Sequence, residues 1–152
     1  MHWKLPVFLL LLISLNFCNS SRSSNITEHS SKESILRIEM NLSAFGVESD
    51  DFPSIGAYID FQNDSSNCNK SFYNPAYKGS TYYLSKNEIK KISDLLQGFD
   101  LEKLKKEYTV QATDQPTSTT TIYTSTKKIT VKDYGLKGEY PLQELYKIVY
   151  KF

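Results

Sequence analysis

From Leu36 onward the apolar positions fall on every second residue: Leu36, Ile38, Met40 and Leu42 alternate with Arg37, Glu39 and Asn41. Successive side chains of an extended chain point to opposite faces, so this period predicts a strand with one buried side. Ile55, Ala57, Ile59 and Phe61 repeat the pattern, with Gly56, Tyr58 and Asp60 on the other side. Between the two lies a loop over 43–53 that carries Glu48, Asp50 and Asp51. A polar turn containing Asn63, Asp64, Asn67, Cys68 and Asn69 leads to predicted third and fourth strands of a meander at 70–73 and 77–84.

At Ser85 the period changes. Ser85-Lys86-Asn87-Glu88 is a capping-box sequence, in which the serine hydroxyl and the glutamate carboxylate each satisfy the other's free backbone N–H. Ile89, Ile92, Leu95, Leu96 and Phe99 follow at helical spacing, and Gly98 supplies a left-handed stop. A second helical turn or two is expected over 101–106. After the loop closed by Gln115-Pro116, the Thr-rich stretch 117–126 and the stretch 129–134 read as a β-hairpin turned at Lys127-Lys128. Pro141 suits the first turn of a closing helix whose apolar face is Leu142, Leu145, Tyr146 and Val149. The predicted fold is α+β: a single antiparallel sheet of about five or six strands with two helices packed on one face.

The start of the chain has a different character. Met1-His2-Trp3-Lys4 precedes an apolar run from Val7 to Ile13, the layout of a secretory signal and too short to span a bilayer. Two processing sites compete. Leu15-Asn16-Phe17-Cys18 resembles a lipobox, which would make residues 1–17 the signal peptide and Cys18 the acylated first residue of the mature chain; cleavage after Ser20 is the alternative. The lipoprotein reading gives the Ser-rich stretch 18–34 a purpose as a flexible tether, leaving 35–152 as one α+β domain. Acyl chains on Cys18 would hold the protein at a membrane. Its expected location is the bacterial envelope, lipid-anchored at the outer membrane or its periplasmic face, or else soluble after export.

Charge narrows the partners. Removing Lys4 from the 18 Lys+Arg leaves 17 against 17 Asp+Glu. The densest basic stretches, Lys90-Lys91 and Lys103 to Lys106, alternate with Asp94, Glu102 and Glu107. A nucleic-acid ligand needs a clustered basic face, and none is patterned here. Beyond Cys18 the chain has only Cys68, so no internal disulfide staples the domain.

Tyr108, Thr113-Asp114-Gln115-Pro116-Thr117, the Thr-rich strand, Asp133-Tyr134-Gly135 and the closing amphipathic helix together resemble a bacterial family, domain of unknown function 6438. The resemblance spans roughly 35–152 and implies a small secreted or lipidated protein with no established activity. The family pattern of Cys-Phe-Gly followed by Cys-Pro is departed from: Ala44-Phe45-Gly46 and Phe52-Pro53 stand at what look like those places, which implies a lost structural disulfide.

Catalytic chemistry is sparse. The two histidines, His2 and His29, lie in the signal and the tether, which removes Ser-His-Asp and Cys-His catalysis and most zinc sites from the domain. Gly135-Leu136-Lys137-Gly138 lacks the context of a phosphate loop. A carboxylate pair, Asp114 and Asp133, could hold a hard cation or transfer protons. The plainer alternative gives Asp114 an Asx-turn beside Pro116, and has Asp133 end a strand or pair with a lysine. Glu48, Asp50 and Asp51 lack the spacing of a calcium loop.

Eleven Tyr and eight Phe offer the surface lead. By alternation Tyr58 points away from Ile55, Ala57 and Ile59, and Tyr123 and Tyr134 away from Ile122, Ile129 and Val131. If these strands are neighbours, the three tyrosines share a face that binds glycan or peptide; if helices cover that face, they are core. Sequons begin at Asn25, Asn41, Asn63 and Asn69, and a bacterial chain would leave them unused. These observations predict a non-catalytic, membrane-tethered binding or structural module with no cofactor, its partner an envelope protein or glycan. The rivals are a carboxylate enzyme or metal-binding protein using Asp114 and Asp133, and a periplasmic inhibitor of an exported enzyme.

Overall fold

The computed structural model describes residues 33–152; the signal, Cys18 and most of the tether lie outside the described residues. The described chain runs β1 (Ile35–Ser43), β2 (Ser54–Asp60), β3 (Ser65–Ser71), β4 (Ser80–Tyr82), α1 (Lys86–Gln97), a single 3-10 turn (Leu101–Lys103), β5 (Glu107–Tyr108), β6 (Thr117–Thr124), β7 (Lys128–Tyr134) and α2 (Leu142–Val149). The strands form one sheet in the order β4-β3-β2-β1-β6-β7-β5.

This corrects the expected count and the expected all-antiparallel pairing. Among the described residues the sheet has seven strands, and β5 pairs parallel with β7 through Glu107–Lys132 and Tyr108–Asp133. The chain reaches β5 through α1, which carries it from one sheet edge to the other, and such a crossover permits parallel pairing. Two residues are too few to show a period, so β5 leaves no pattern in the sequence.

The third strand also differs from expectation. The polar run expected to be a turn is β3, and Cys68 lies inside it, fully buried between Ala57 and Tyr82. Only that one side chain of β3 is buried, so the alternation that betrays a strand is absent. In β1 the register against β6 shifts between Ile35 and Arg37, and Ile35 rather than Leu36 joins the core.

One face of the sheet carries the core. Ile38, Met40 and Leu42 from β1, Ile55 and Ile59 from β2, Ile122 from β6 and Val131 from β7 pack with Ile89, Ile92 and Leu96 of α1 and Leu142, Leu145 and Val149 of α2. The capping box is complete: Glu88 N–H donates to the Ser85 hydroxyl at 3.3 Å, and Ser85 N–H donates to the Glu88 carboxylate at 2.7 Å. Gly98, expected to stop α1 in a left-handed conformation, is right-handed (φ −81°) and returns its N–H to Asp94. The expected second helix is shorter, a 3-10 turn capped by Asp100.

Candidate functional site

Among the described residues no helix covers the face opposite α1 and α2, and strand register decides what stands on it. In the row through β3, β2, β1, β6 and β7, the outward residues are Asn69, Gly56, Asn41, Thr119 and Lys132. The next row reads Asn67, Tyr58, Glu39, Thr121 and Thr130. At one end Asp60, Arg37, Tyr123 and Lys128 form a third row. Tyr134 stands opposite Thr117 at the other end. Tyr58, Tyr123 and Tyr134 therefore share one face; Tyr58 is 43% exposed and the other two are half-buried.

The centre of this face is a shallow concavity of about 610 Å³. Gly56 is its floor, and Tyr58, Asn41, Asn67, Asn69 and Thr119 are among its walls. A glycine inside a strand weakens it by roughly 0.5–1 kcal/mol relative to alanine. Packing gives no reason for one at this position, because a Cβ built on Gly56 meets nothing within 4 Å. Such a position suits close approach of another molecule to the backbone.

The walls are held in place. Asn69 Nδ2 donates to Asn67 Oδ1 at 2.9 Å, and the Thr81 hydroxyl donates to Asn69 Oδ1 at 2.8 Å. Beside them the Arg37 guanidinium lies 3.7 Å from the centre of the Tyr123 ring. Arg37 Nε donates to Glu39 Oε1 at 3.1 Å, and the Tyr123 hydroxyl donates to Glu39 Oε2 at 3.0 Å. Each member of this trio fixes the other two, so Glu39 enters the concavity with its charge already partnered.

The two motif carboxylates are not brought together. Asp114 is exposed in a turn at φ 59°, a conformation that aspartate tolerates better than most residues, and no described partner binds its side chain. The expected Asx-turn is thus absent; Gln115 Nε2 closes the turn on the Thr113 carbonyl at 3.1 Å. Asp133 is 1% exposed and lies on the helix side of β7. Its carboxylate accepts from Lys137 N–H at 2.8 Å, Gly138 N–H at 2.7 Å and the Tyr146 hydroxyl at 2.9 Å. The lysine supplies its backbone, not its ammonium. Among the described residues no three His, Cys, Asp or Glu side chains gather as a metal site.

This arrangement explains the other motif residues. Gly135 turns the chain at φ 89°, where a Cβ would also strike Val110 at 2.5 Å. Its N–H donates to the Pro116 carbonyl at 2.9 Å, and the Tyr134 hydroxyl accepts from Gln115 N–H at 3.3 Å, which ties the two motif loops together. Gly138 approaches the Asp133 carboxylate so closely that a Cβ would lie 2.7 Å from Oδ2. Asp133 and its neighbours are thus the lock that seats α2 on the sheet.

The lock continues as a buried polar string. Tyr146 and Tyr150 stack at 5.5 Å, and the Tyr150 hydroxyl shares a 2.8 Å hydrogen bond with Ser118. Tyr82 donates to the Val149 carbonyl at 2.6 Å. Burial pushes the Tyr146 and Tyr150 hydroxyls well above their ordinary range and Tyr82 up to about 12. Burial likewise raises Cys68, which keeps it a thiol and a poor nucleophile.

A family model described as a domain of unknown function (DUF6438) matches residues 52–152. The chain belongs to that family. No curated protein and no solved structure matches it. The family match takes in Asp114, Pro116, Asp133, Tyr134 and Gly135, and it begins at Phe52, so β1 and Ala44-Phe45-Gly46 lie before it. In this DUF6438 chain Ser43 and Ala44-Phe45-Gly46 help line a second cavity of about 450 Å³, at the sheet end formed by the β1–β2 and β3–β4 loops. Phe45 and Tyr73 stand almost fully exposed there. Arg37, Glu39, Asn41, Asn67 and Asn69 complete the central face without having been singled out by sequence; their position on the outward phase of each strand is the signal that finds them.

Proposed function

We propose that this protein is an exported, lipid-anchored and non-catalytic binding module of the bacterial envelope that meets its partner with the open face of its sheet. The observation that carries the reading is the concavity over Gly56, which is rimmed by oriented side chains and serves no internal packing need. The signal-like start and Cys18 support export and anchoring. The absence of histidine from residues 33–152 and the full engagement of Asp133 by three donors support binding rather than turnover.

Both halves of the reading can be tested in the native host. Cys18→Ser is expected to release the protein from the membrane fraction; a variant still processed and still membrane-bound rejects the lipid anchor. Affinity capture of the full chain from its own envelope, compared with Tyr58→Ala and Tyr123→Ala, is expected to yield a partner that the variants lose. Equal recovery by all three chains rejects the open face as the binding surface.

A further inference from the structure

The open face has a specific chemical character. Within the concavity, beside the Glu39 carboxylate, the uncharged polar groups are the amides of Asn41, Asn67 and Asn69 and the hydroxyls of Thr119 and Thr121. Each can both donate and accept, which is the complement of a hydroxyl-rich ligand. Tyr58 contributes a ring beside the glycine floor, a flat apolar surface flanked by polar groups. The three rows hold the cations Arg37, Lys128 and Lys132 and the carboxylates Glu39 and Asp60, and Lys132 stands beside Glu107 of β5. Opposite charges therefore alternate, and no field of one sign exists to attract a polyanion. The large aliphatic side chains of the core pack on the other face, and Tyr58 is the exposed aromatic ring of the concavity.

Resting on the reading of this face as the binding surface, we propose that its ligand is an uncharged glycan lying across the strands over Gly56, with a sugar ring against Tyr58. Neighbouring strands lie about 4.8 Å apart, so the row from Asn69 to Thr119 spans three such steps, with Asn69 on one side of Gly56 and Asn41 and Thr119 on the other, a floor wide enough for a short oligosaccharide. The Asn67–Asn69–Thr81 chain fixes the amides before the ligand arrives, which lowers the ordering cost of binding. Glu39, held by Arg37 and Tyr123, offers its remaining lone pairs to sugar hydroxyls without carrying an unpaired charge.

The test is isothermal titration of the full chain, purified in detergent, with chitohexaose, cellohexaose and maltohexaose as uncharged probes and heparin as a polyanion. Saturable binding of at least one neutral oligosaccharide is expected, weakened at least about tenfold by Tyr58→Ala and by Gly56→Val, with the melting temperature of Gly56→Val no lower than that of the parent. Binding confined to heparin and lost in Tyr58→Ala overturns the proposal of an uncharged ligand while leaving the open face as the site. Neutral-glycan binding untouched by either variant overturns both readings. No binding to any of the four probes overturns the glycan proposal alone, since envelope capture tests the face independently.

Discussion

On the helix side of β1, Ile38, Met40 and Leu42 are sealed from water; one residue earlier in each case, Arg37, Glu39 and Asn41 stand on the uncovered side. The same division runs through β2, where Ile55 and Ile59 are buried and Gly56 and Tyr58 face outward. The covered face makes its contacts by excluded water and close packing, so its side chains are interchangeable only at a cost in stability. The open face makes its contacts sideways, between neighbouring polar side chains that neither α1 nor α2 touches. On the proposed function, stability and recognition fall on opposite sides of one backbone, and a substitution on either side reports on one of them.

The largest expected effect tests that division directly. Ile38→Ala removes a fully buried side chain between sheet and helices and is expected to cost about 2–5 kcal/mol in urea unfolding. Tyr58→Ala, on the adjoining strand but facing outward, is expected to change stability by no more than about 0.5 kcal/mol. Comparable losses from the two would erase the distinction between the faces and mark Tyr58 as structural.

A second, smaller effect sharpens what the covered face does with polar groups. Asp133→Asn keeps the shape of the side chain but turns one acceptor oxygen into a donor amide, set against the N–H groups of Lys137 and Gly138 and the Tyr146 hydroxyl. Leaving a buried donor unsatisfied costs about 1–3 kcal/mol, so a loss of roughly 2 kcal/mol is expected, with faster amide hydrogen exchange at Lys137 and Gly138. A neutral result would mean that Asp133 is not the lock of α2, and would return it to the list of groups available for chemistry.

How much of this could be read in the sequence depends on whether the pattern is local. The capping box and apolar stripe of α1 need only neighbours three and four residues away, and both stand in the structure where the sequence places them. The period-two runs of β1 and β2 were legible because each buries several side chains on one side. Strand β3 was not, because Cys68 is its only buried residue and the rest of it is serine, asparagine and lysine. Parallel pairing of β5 depends wholly on where α1 delivers the chain. The open face was half legible: alternation put Tyr58 and Gly56 outward, but the rows Asn69–Gly56–Asn41–Thr119 and Asn67–Tyr58–Glu39–Thr121 exist only once register is known. Asp133 was the hardest residue to judge, since nothing in Asp-Tyr-Gly announces that two backbone N–H groups and a tyrosine from α2 will surround a carboxylate.

The smallest expected effect asks whether the helical layer is held by charge as well as by packing. Lys151, beyond the end of α2, pairs with Glu88 of the α1 capping box. That ammonium first, then the Ser85 backbone N–H, lowers the Glu88 carboxyl from its ordinary 4.5 to about 2. A group whose pKa is depressed by folding contributes stability above its unfolded value and loses it as pH falls through the folded one. The contribution should therefore be complete above about pH 5 and fade between about pH 4.5 and pH 2. Glu88 keeps 28% of its side chain exposed and Lys151 keeps 45%, so solvent screening limits the pair to roughly 0.5–1 kcal/mol. Glu88→Gln should remove that much at pH 7, flatten the stability profile across the acid window and draw parent and variant together as pH falls through about 2. A difference of several kcal/mol, or one that does not shrink between about pH 5 and pH 2, would show that the capping box holds the helical layer by something other than this ionised carboxylate.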